Sequence, residues 1–336
     1  MKALVVASPG VIDLVDVPTP TASAGHELVR PLLTGLCGTD LELIDGTIDT
    51  DYVNYPLTLG HEWVGRRVDA GSDSSSQGDL VVVEGVIPCG VCEECLRGAS
   101  NRCRIYDEIG FTRPGSLAEY VEVPSHLIHT LATNVSPLDA VLIEPMAVVW
   151  RALSRANISP GARCLVVGDG TVALLSAYLL RHFQPSNVTM LGIRPAQHDL
   201  SAQCGVDAFI TDRLTEKFDV VIEAAGQVAA VQSALGAVGR GGTLVLLGLP
   251  AHGATVTVAP DQFVNDDLTM QGSFSYTRLA WRDVVALVNS GHLRPSFLVT
   301  HHFSLDQWDA AVASLRHATP GQARGKIVIS LDELAP

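Results

Sequence analysis

Apolar residues in the first part of the chain come in short runs: KALVV, HELVRPLL, WVGRRV, DLVVVEGV and AEYVEV, each bounded by glycine, proline or charge. Runs of this length and composition predict short, strongly bent β-strands, an all-β region reaching to about residue 145. Within it, AGSDSSSQGD (70–79) predicts a polar, flexible surface loop with no further role. Near residue 145 the period changes. PMAVVWRALSRAN has helical spacing, with Pro145 in its first turn. Apolar strands then alternate with helical stretches. The strands are CLVVG (164–168), NVTMLG (187–192), AFI (208–210), DVVIEA (219–224), GTLVLLG (242–248) and LTMQGSF (268–274). VALLSAYLLRHF and AAVQSALGAV are among the helices. Such alternation predicts a parallel, doubly wound sheet. In the tail, a strand FLVTHHF, a helix LDQWDAAVASLRH and a strand GKIVISL are placed back with the first region. The fold class is α/β, with expected domains 1–146, 147–289 and a C-terminal return, 290–336.

Bulk properties narrow the function. The chain's 336 residues can bury two cores. A hydrophobic fraction of 47% and a mean hydropathy of +0.27 fit a sheet covered on both faces. The longest apolar run, Cys164 to Leu180, is interrupted by Asp169 and glycines, so it is a poor membrane span. MKALVVASPG is too weak for a secretory signal, so a cytoplasmic protein is expected. There, clustered cysteines point to metal or catalysis before disulfides. With 36 acidic against 22 basic residues the net charge is −14, and no basic run appears. Nucleic acid and membranes are not expected partners.

Three motifs carry chemistry. VVGDGTVALL follows a strand and opens a helix. Gly168 and Gly170 take the first two places of a dinucleotide fingerprint and Ala173 the third, with Thr171 and Val172 between. The next strand ends in LGIRP. No carboxylate stands there for the ribose hydroxyls; Gly192 and Arg194 suit a 2′-phosphate, so NADP is favoured over NAD. PCGVCEECLRGASNRC spaces Cys89, Cys92, Cys95 and Cys103 as C-x2-C-x2-C-x7-C, which favours zinc over iron–sulfur. Four thiolates close the coordination shell, so this is a structural zinc pinning a lobe at about 88–104. GLCGTDLEL, LGHEWVG and IEPMAV bring a thiol (Cys37), an imidazole (His61) and carboxylates (Glu62, Glu144), enough for a second, three-ligand zinc site with an open position.

In their order and spacing, CGTD, GHEWVG, the four-cysteine lobe, GSLAEYVEVP, EPMAV, GDGTVA and LVTHHFSLDQW resemble the zinc-dependent medium-chain dehydrogenase/reductase family over essentially the whole chain. GSFSY and Glu144 are most similar to its polyol (sorbitol) and aminocyclitol dehydrogenase branch. The resemblance implies a GroES-like catalytic domain, an inserted Rossmann domain and an active site in the cleft. It implies one structural and one catalytic zinc, the latter on Cys37 and His61 with Glu62 or Glu144 as third ligand. It implies reversible oxidation of an alcohol to a carbonyl: Thr39 hands the hydroxyl proton toward solvent and hydride passes to NAD(P). Secondary alcohols of polyol, cyclitol or aminocyclitol type are the expected substrates. A primary alcohol/aldehyde or threonine-type dehydrogenase is the alternative, and a non-enzymatic zinc-binding module the alternative from another class. A homodimer or homotetramer is implied. The pattern is broken at Glu42, where relatives carry a relay histidine; at Leu43, for a pocket tyrosine; and at His302, for an arginine. Phe111 and Thr112 match pocket positions, although Phe111 suits a core equally. Cys164 and Cys204 read as small buried residues.

Overall fold

The structure is a computed structural model that describes residues 1–68, 78–212 and 214–331. Residues 70–77 of the expected polar loop lie outside the described residues. The chain divides into two compact units. One comprises Met1–Glu144, Thr277–Thr319 and the residues from Lys326 on; the other comprises Pro145–Tyr276 and Pro320–Gly325.

In the first unit, a seven-stranded sheet runs in the order Val299–Ser304, Lys326–Ser330, His26–Leu36, Glu62–Arg67, Leu80–Val83, Ile128–Thr130, with Val121–Pro124 paired alongside His26–Leu36. A three-stranded sheet of Val11–Asp16, Lys2–Ser8 and Leu57–Thr58 accompanies it. His26–Leu36 carries Pro31, which lacks the N–H a regular ladder needs; the register against Glu62–Arg67 shifts between Pro31 and Leu33. Beyond that bulge the strand is buried on both faces. Its end sets the site: Gly35 lies opposite Glu62, and Leu36 opposite Ile327. Cys37, His61, Glu62 and Lys326 are thereby delivered to one end of one sheet.

Helix Arg278–Asn289 belongs to this unit, which corrects the expected boundary at 289/290. The physical reason is its apolar stripe, Ala280, Trp281, Val284, Val285 and Val288, all buried. Polar contacts at both ends hold it to the same unit. The Arg278 backbone N–H donates to Ser100 Oγ (3.1 Å), its guanidinium to Glu84 (3.3 Å), and the Ala132 N–H to Asn289 Oδ1 (2.9 Å).

In the second unit six parallel strands run in the order Ala208–Ile210, Asn187–Leu191, Arg163–Val167, Phe218–Glu223, Val238–Leu246, Thr269–Gly272. All six strands expected for this region are present in it. Its core gathers Leu165, Val167, Val221, Val231, Ala234 and Leu244. The order reverses beside Arg163–Val167, the place where such sheets open a ligand crevice. Among the described residues no helix is long and apolar enough to cross a membrane.

Candidate active site and metal centres

Cys37 is the N-cap of helix Gly38–Asp45. Its backbone N–H donates to Asp40 Oδ2 at 2.8 Å, and its thiol lies 3.7 Å from Thr39 Oγ1. The strand register brings His61 and Glu62 to it, so that thiol, imidazole and one carboxylate offer ligand atoms within 4.8 Å of one another. Asp40 is buried, with Oδ1 3.4 Å from His61 Nδ1, and among the described residues neither atom has a hydrogen-bonding partner. A carboxylate facing one ring nitrogen is how metal-bound histidines are oriented, the other nitrogen being left for the metal. Burial pushes the His61 imidazole down, but Asp40 and Cys37 outweigh it and hold it well above its ordinary range. The donor set fits a zinc with three protein ligands.

Glu144 is not part of that trio, although it lies within electrostatic reach of it. Burial and the negative charge of Glu62 push its carboxyl up to about 8. Glu62 is buried against Lys326, whose ammonium pairs with its carboxylate and donates to Leu36 O at 3.2 Å. Burial lowers the Lys326 pKa, yet Glu62 and Cys37 bring it above normal. Glu108 is buried nearby, hydrogen-bonded by Tyr106 OH, and raised by burial. Phe111 sits in the core with its ring centroid 5.0 Å from that of His61. Thr112 braces a turn, its hydroxyl donating to Asp107 at 2.7 Å. Leu43 lies wholly in the core and His302 is exposed. Asp40, Glu108 and Lys326 acquire no role from sequence. Asp40 stands inside CGTD, while Lys326 reads as part of the strand GKIVISL.

The four cysteines of the lobe bear no disulfide, and their sulfurs lie within 4.8 Å of one another, with Cys89 and Cys95 at 3.9 Å. Tetrahedral zinc with bonds of about 2.3 Å calls for sulfurs roughly 3.8 Å apart. The Cys89 N–H points to Cys103 Sγ (3.3 Å) and the Cys92 N–H to Cys89 Sγ (3.4 Å). Backbone N–H groups of Arg104 and Cys95 bring Cys92 down to about 6, whereas burial and Cys92 push Cys95 up to about 12. The cluster fits a second zinc with every position filled. Cys164 and Cys204 are buried, their thiols pushed up to about 12 by burial.

In the second unit Gly168 has φ +123°, and a Cβ there would meet the Ala224 and Ala225 backbone at 3.1 Å, so only glycine closes the turn. Gly170 caps helix Thr171–Leu180 with nothing within 4 Å of where a side chain would project, leaving room for a phosphate at the helix start. Ala173 is wholly buried and Thr171 Oγ1 donates to Gly325 O at 3.0 Å. Arg194 is already engaged: its Nη2 donates to Asp169 Oδ1 at 2.7 Å and to Asp169 O at 2.8 Å.

Comparison with known proteins agrees with both units. The Alcohol dehydrogenase GroES-like domain family matches residues 23–133 and the Zinc-binding dehydrogenase family residues 171–290. An L-threonine 3-dehydrogenase of Streptomyces coelicolor is 32% identical over 98% of this chain and 99% of its own. A sorbitol dehydrogenase of Bacillus subtilis is 29% identical over 93% and 92%. Among solved structures, a protein of Sinorhizobium meliloti described as a zinc-binding dehydrogenase and bound to NADP superimposes with a TM-score of 0.89 at 26% identity, covering 98% of each chain. With a GroES-like unit, a Rossmann unit and these relatives, the chain belongs to the zinc-dependent medium-chain dehydrogenase/reductase family and is an NAD(P)-dependent alcohol dehydrogenase.

Proposed function

We propose that this enzyme reversibly oxidises a secondary alcohol of polyol, cyclitol or aminocyclitol type to a ketone, with NADP as the preferred hydride acceptor. The observation that carries the reading is the contrast between the two clusters: four thiols in the lobe, but only a thiol, an imidazole and a carboxylate at Cys37, His61 and Glu62. A three-ligand set is the kind that leaves a position for substrate. Cys89, Cys92, Cys95 and Cys103 hold the structural zinc; Cys37, His61 and Glu62 hold the catalytic one. When bound there, zinc supplies Lewis-acid polarisation of a substrate oxygen.

The remaining work falls to the chain's own groups. Thr39 Oγ1, beside Cys37, accepts the substrate hydroxyl proton and passes it toward solvent. Asp40 fixes the ring of His61. Lys326 pairs with the buried carboxylate of Glu62 and holds it in place. Glu144 stands beside the trio, where burial and the charge of Glu62 favour its protonated form. Gly168, Gly170 and the start of helix Thr171–Leu180 receive the cofactor pyrophosphate, with Thr171, Val172 and Ala173 forming that first turn. Arg194 serves the 2′-phosphate.

A threonine-type dehydrogenase is the second reading, favoured by the 32% identity to the Streptomyces enzyme. A panel of polyols, cyclitols, aminocyclitols, L-threonine and primary alcohols, each run with NAD and NADP, decides between them. Turnover confined to L-threonine would replace the first reading. Metal analysis should find about two zincs per chain, falling to about one in Cys37→Ser, whose turnover should drop by at least about 10³-fold. One zinc per chain, unchanged in Cys37→Ser, would overturn the catalytic assignment.

A further inference from the structure

Glu223 is wholly buried at the end of strand Phe218–Glu223, in register with Val167 on one side and Leu246 on the other. A carboxyl group in such a place costs free energy unless its hydrogen-bonding capacity is used. Here four backbone N–H groups converge on the one residue. Side-chain Oε1 accepts from Ala225 at 2.9 Å and from Gly226 at 2.8 Å. The backbone carbonyl accepts from Leu247 at 2.9 Å and from Gly248 at 3.0 Å. The turn after its own strand and the turn after the next are thereby stapled together.

The staple reaches a third turn. The Ala224 N–H donates to Val167 O at 2.8 Å, and the backbone of Ala224 and Ala225 lies 3.1 Å from where a Cβ on Gly168 would stand. Gly248 is pressed from the other side: a Cβ on it would lie 2.6 Å from the Gly226 Cα and 2.8 Å from Glu223 Oε2. Close-packed backbone transmits displacement, so a shift of the 224–227 turn moves Gly168 and Gly248 with it. All three turns lie at the carboxyl ends of strands beside the reversal of strand order, where such sheets bind dinucleotides. Gly192 and Arg194, which follow Asn187–Leu191, stand on one side of the Gly168 turn and the Glu223 staple on the other. With the pyrophosphate at Gly168 and Gly170, the adenosine belongs to the first side and the nicotinamide nucleoside to the second.

We propose that Glu223 is a positioning residue for the nicotinamide half of the cofactor: its carboxyl group shapes the 224–227 turn and sets it against Gly168 and Gly248. The proposal rests on the cofactor seat at Gly168 and Gly170. The acceptor does this, not the charge, because Oε2 has no hydrogen-bonding partner among the described residues. An amide nitrogen in its place would lose no bond.

The test titrates the zinc-loaded full-length enzyme with NADP, NAD and 5′-AMP by calorimetry. Glu223→Met keeps the length of the side chain but removes the acceptor. It should weaken both dinucleotides about tenfold, the worth of one charge-assisted hydrogen bond, and leave 5′-AMP unaffected. Glu223→Gln keeps Oε1 and should bind all three as the wild type does. Retained 5′-AMP binding reports an intact fold; should Glu223→Met lose it, Glu223→Asp, whose carboxylate stops one methylene short of the turn, decides by the same ratio. Equal loss of dinucleotide and 5′-AMP in both would make Glu223 a residue of the fold alone and overturn the proposal. So would a loss in Glu223→Gln as large as in Glu223→Met, since the charge would then be at work. Gly170→Asp tests the seat separately: nothing lies within 4 Å of the added Cβ, and a carboxylate at the helix start repels a pyrophosphate. If Gly170→Asp weakens the dinucleotides and Glu223→Met does not, the positioning role is overturned and the seat stands. If Gly170→Asp leaves them untouched, the seat fails and the proposal with it.

Discussion

Lys326 shows what a buried charge does at the level of one residue. Its side chain is 2% exposed, as is that of Glu62, which it pairs with. Neither ion has water to turn to, so removing one strands the other. With the metal chelated away, Lys326→Met should destabilise the protein by about 3 kcal/mol in denaturant titrations. Adding Glu62→Leu should recover part of that loss, because the stranded charge goes too. Strictly additive effects in the double-mutant cycle would mean that the pair carries no coupling. The same residue marks a limit of reading from sequence. Cys37, His61 and the lobe cysteines stand out because thiols and imidazoles in short glycine-flanked motifs are chemically conspicuous. Lys326 lies 264 residues from Glu62 and opens an ordinary strand. Only the register of Lys326–Ser330 on His26–Leu36 brings the two together. Arg194 is a milder case: LGIRP identifies it, but its clamp by Asp169 depends on a turn 25 residues earlier.

Elements behave likewise: their existence follows from local pattern, their destination from packing. The stripe of Ala280, Trp281, Val284, Val285 and Val288 is helical on sight, yet nothing in it says which unit it covers. Helix Gly38–Asp45, which begins after Cys37, ends in Asp45, and helix Trp308–Arg316 ends in Arg316. The two residues meet in a fork: Nη1 donates to Oδ2 at 2.7 Å and Nη2 to Oδ1 at 2.5 Å. The hydrogen bond from Arg316 lowers the Asp45 pKa. A carboxyl whose folded pKa lies below its unfolded value, about 3.9, stabilises fully above that value and loses its contribution as pH falls through the folded pKa. The side chains are 42% and 34% exposed, so solvent screening keeps the gain to at most about 1 kcal/mol. Asp45→Asn should therefore lower the denaturation midpoint at pH 7, and the gap should close below about pH 3. A gap that persists in acid would assign the effect to packing and not to charge.

At the scale of the whole chain the two units differ in how their sequence is assembled. The second is contiguous from 145 to 276, with only Pro320–Gly325 added from afar. Its core residues, Leu165 to Leu244, all lie inside that stretch. The first is not. Ala311, Val312, Ile327 and Ile329 complete a core begun by Leu4, Val6 and Leu36, and strand Lys326–Ser330 sits inside the sheet, between Val299–Ser304 and His26–Leu36. Removing the tail exposes the Leu33–Leu36 end of that strand as an apolar edge and opens that core. Residues 145–276 expressed alone should thus melt cooperatively by circular dichroism, whereas 1–144 should show no cooperative transition. The isolated stretch loses both hydrogen bonds between the Gln197 side chain and the Arg324 backbone, at a cost of about 1–3 kcal/mol. Its melting temperature should rise when a flexible linker appends 320–325. A cooperative melt from 1–144 would mean that the returning strand covers a core already closed, and the argument from its position in the sheet would fail.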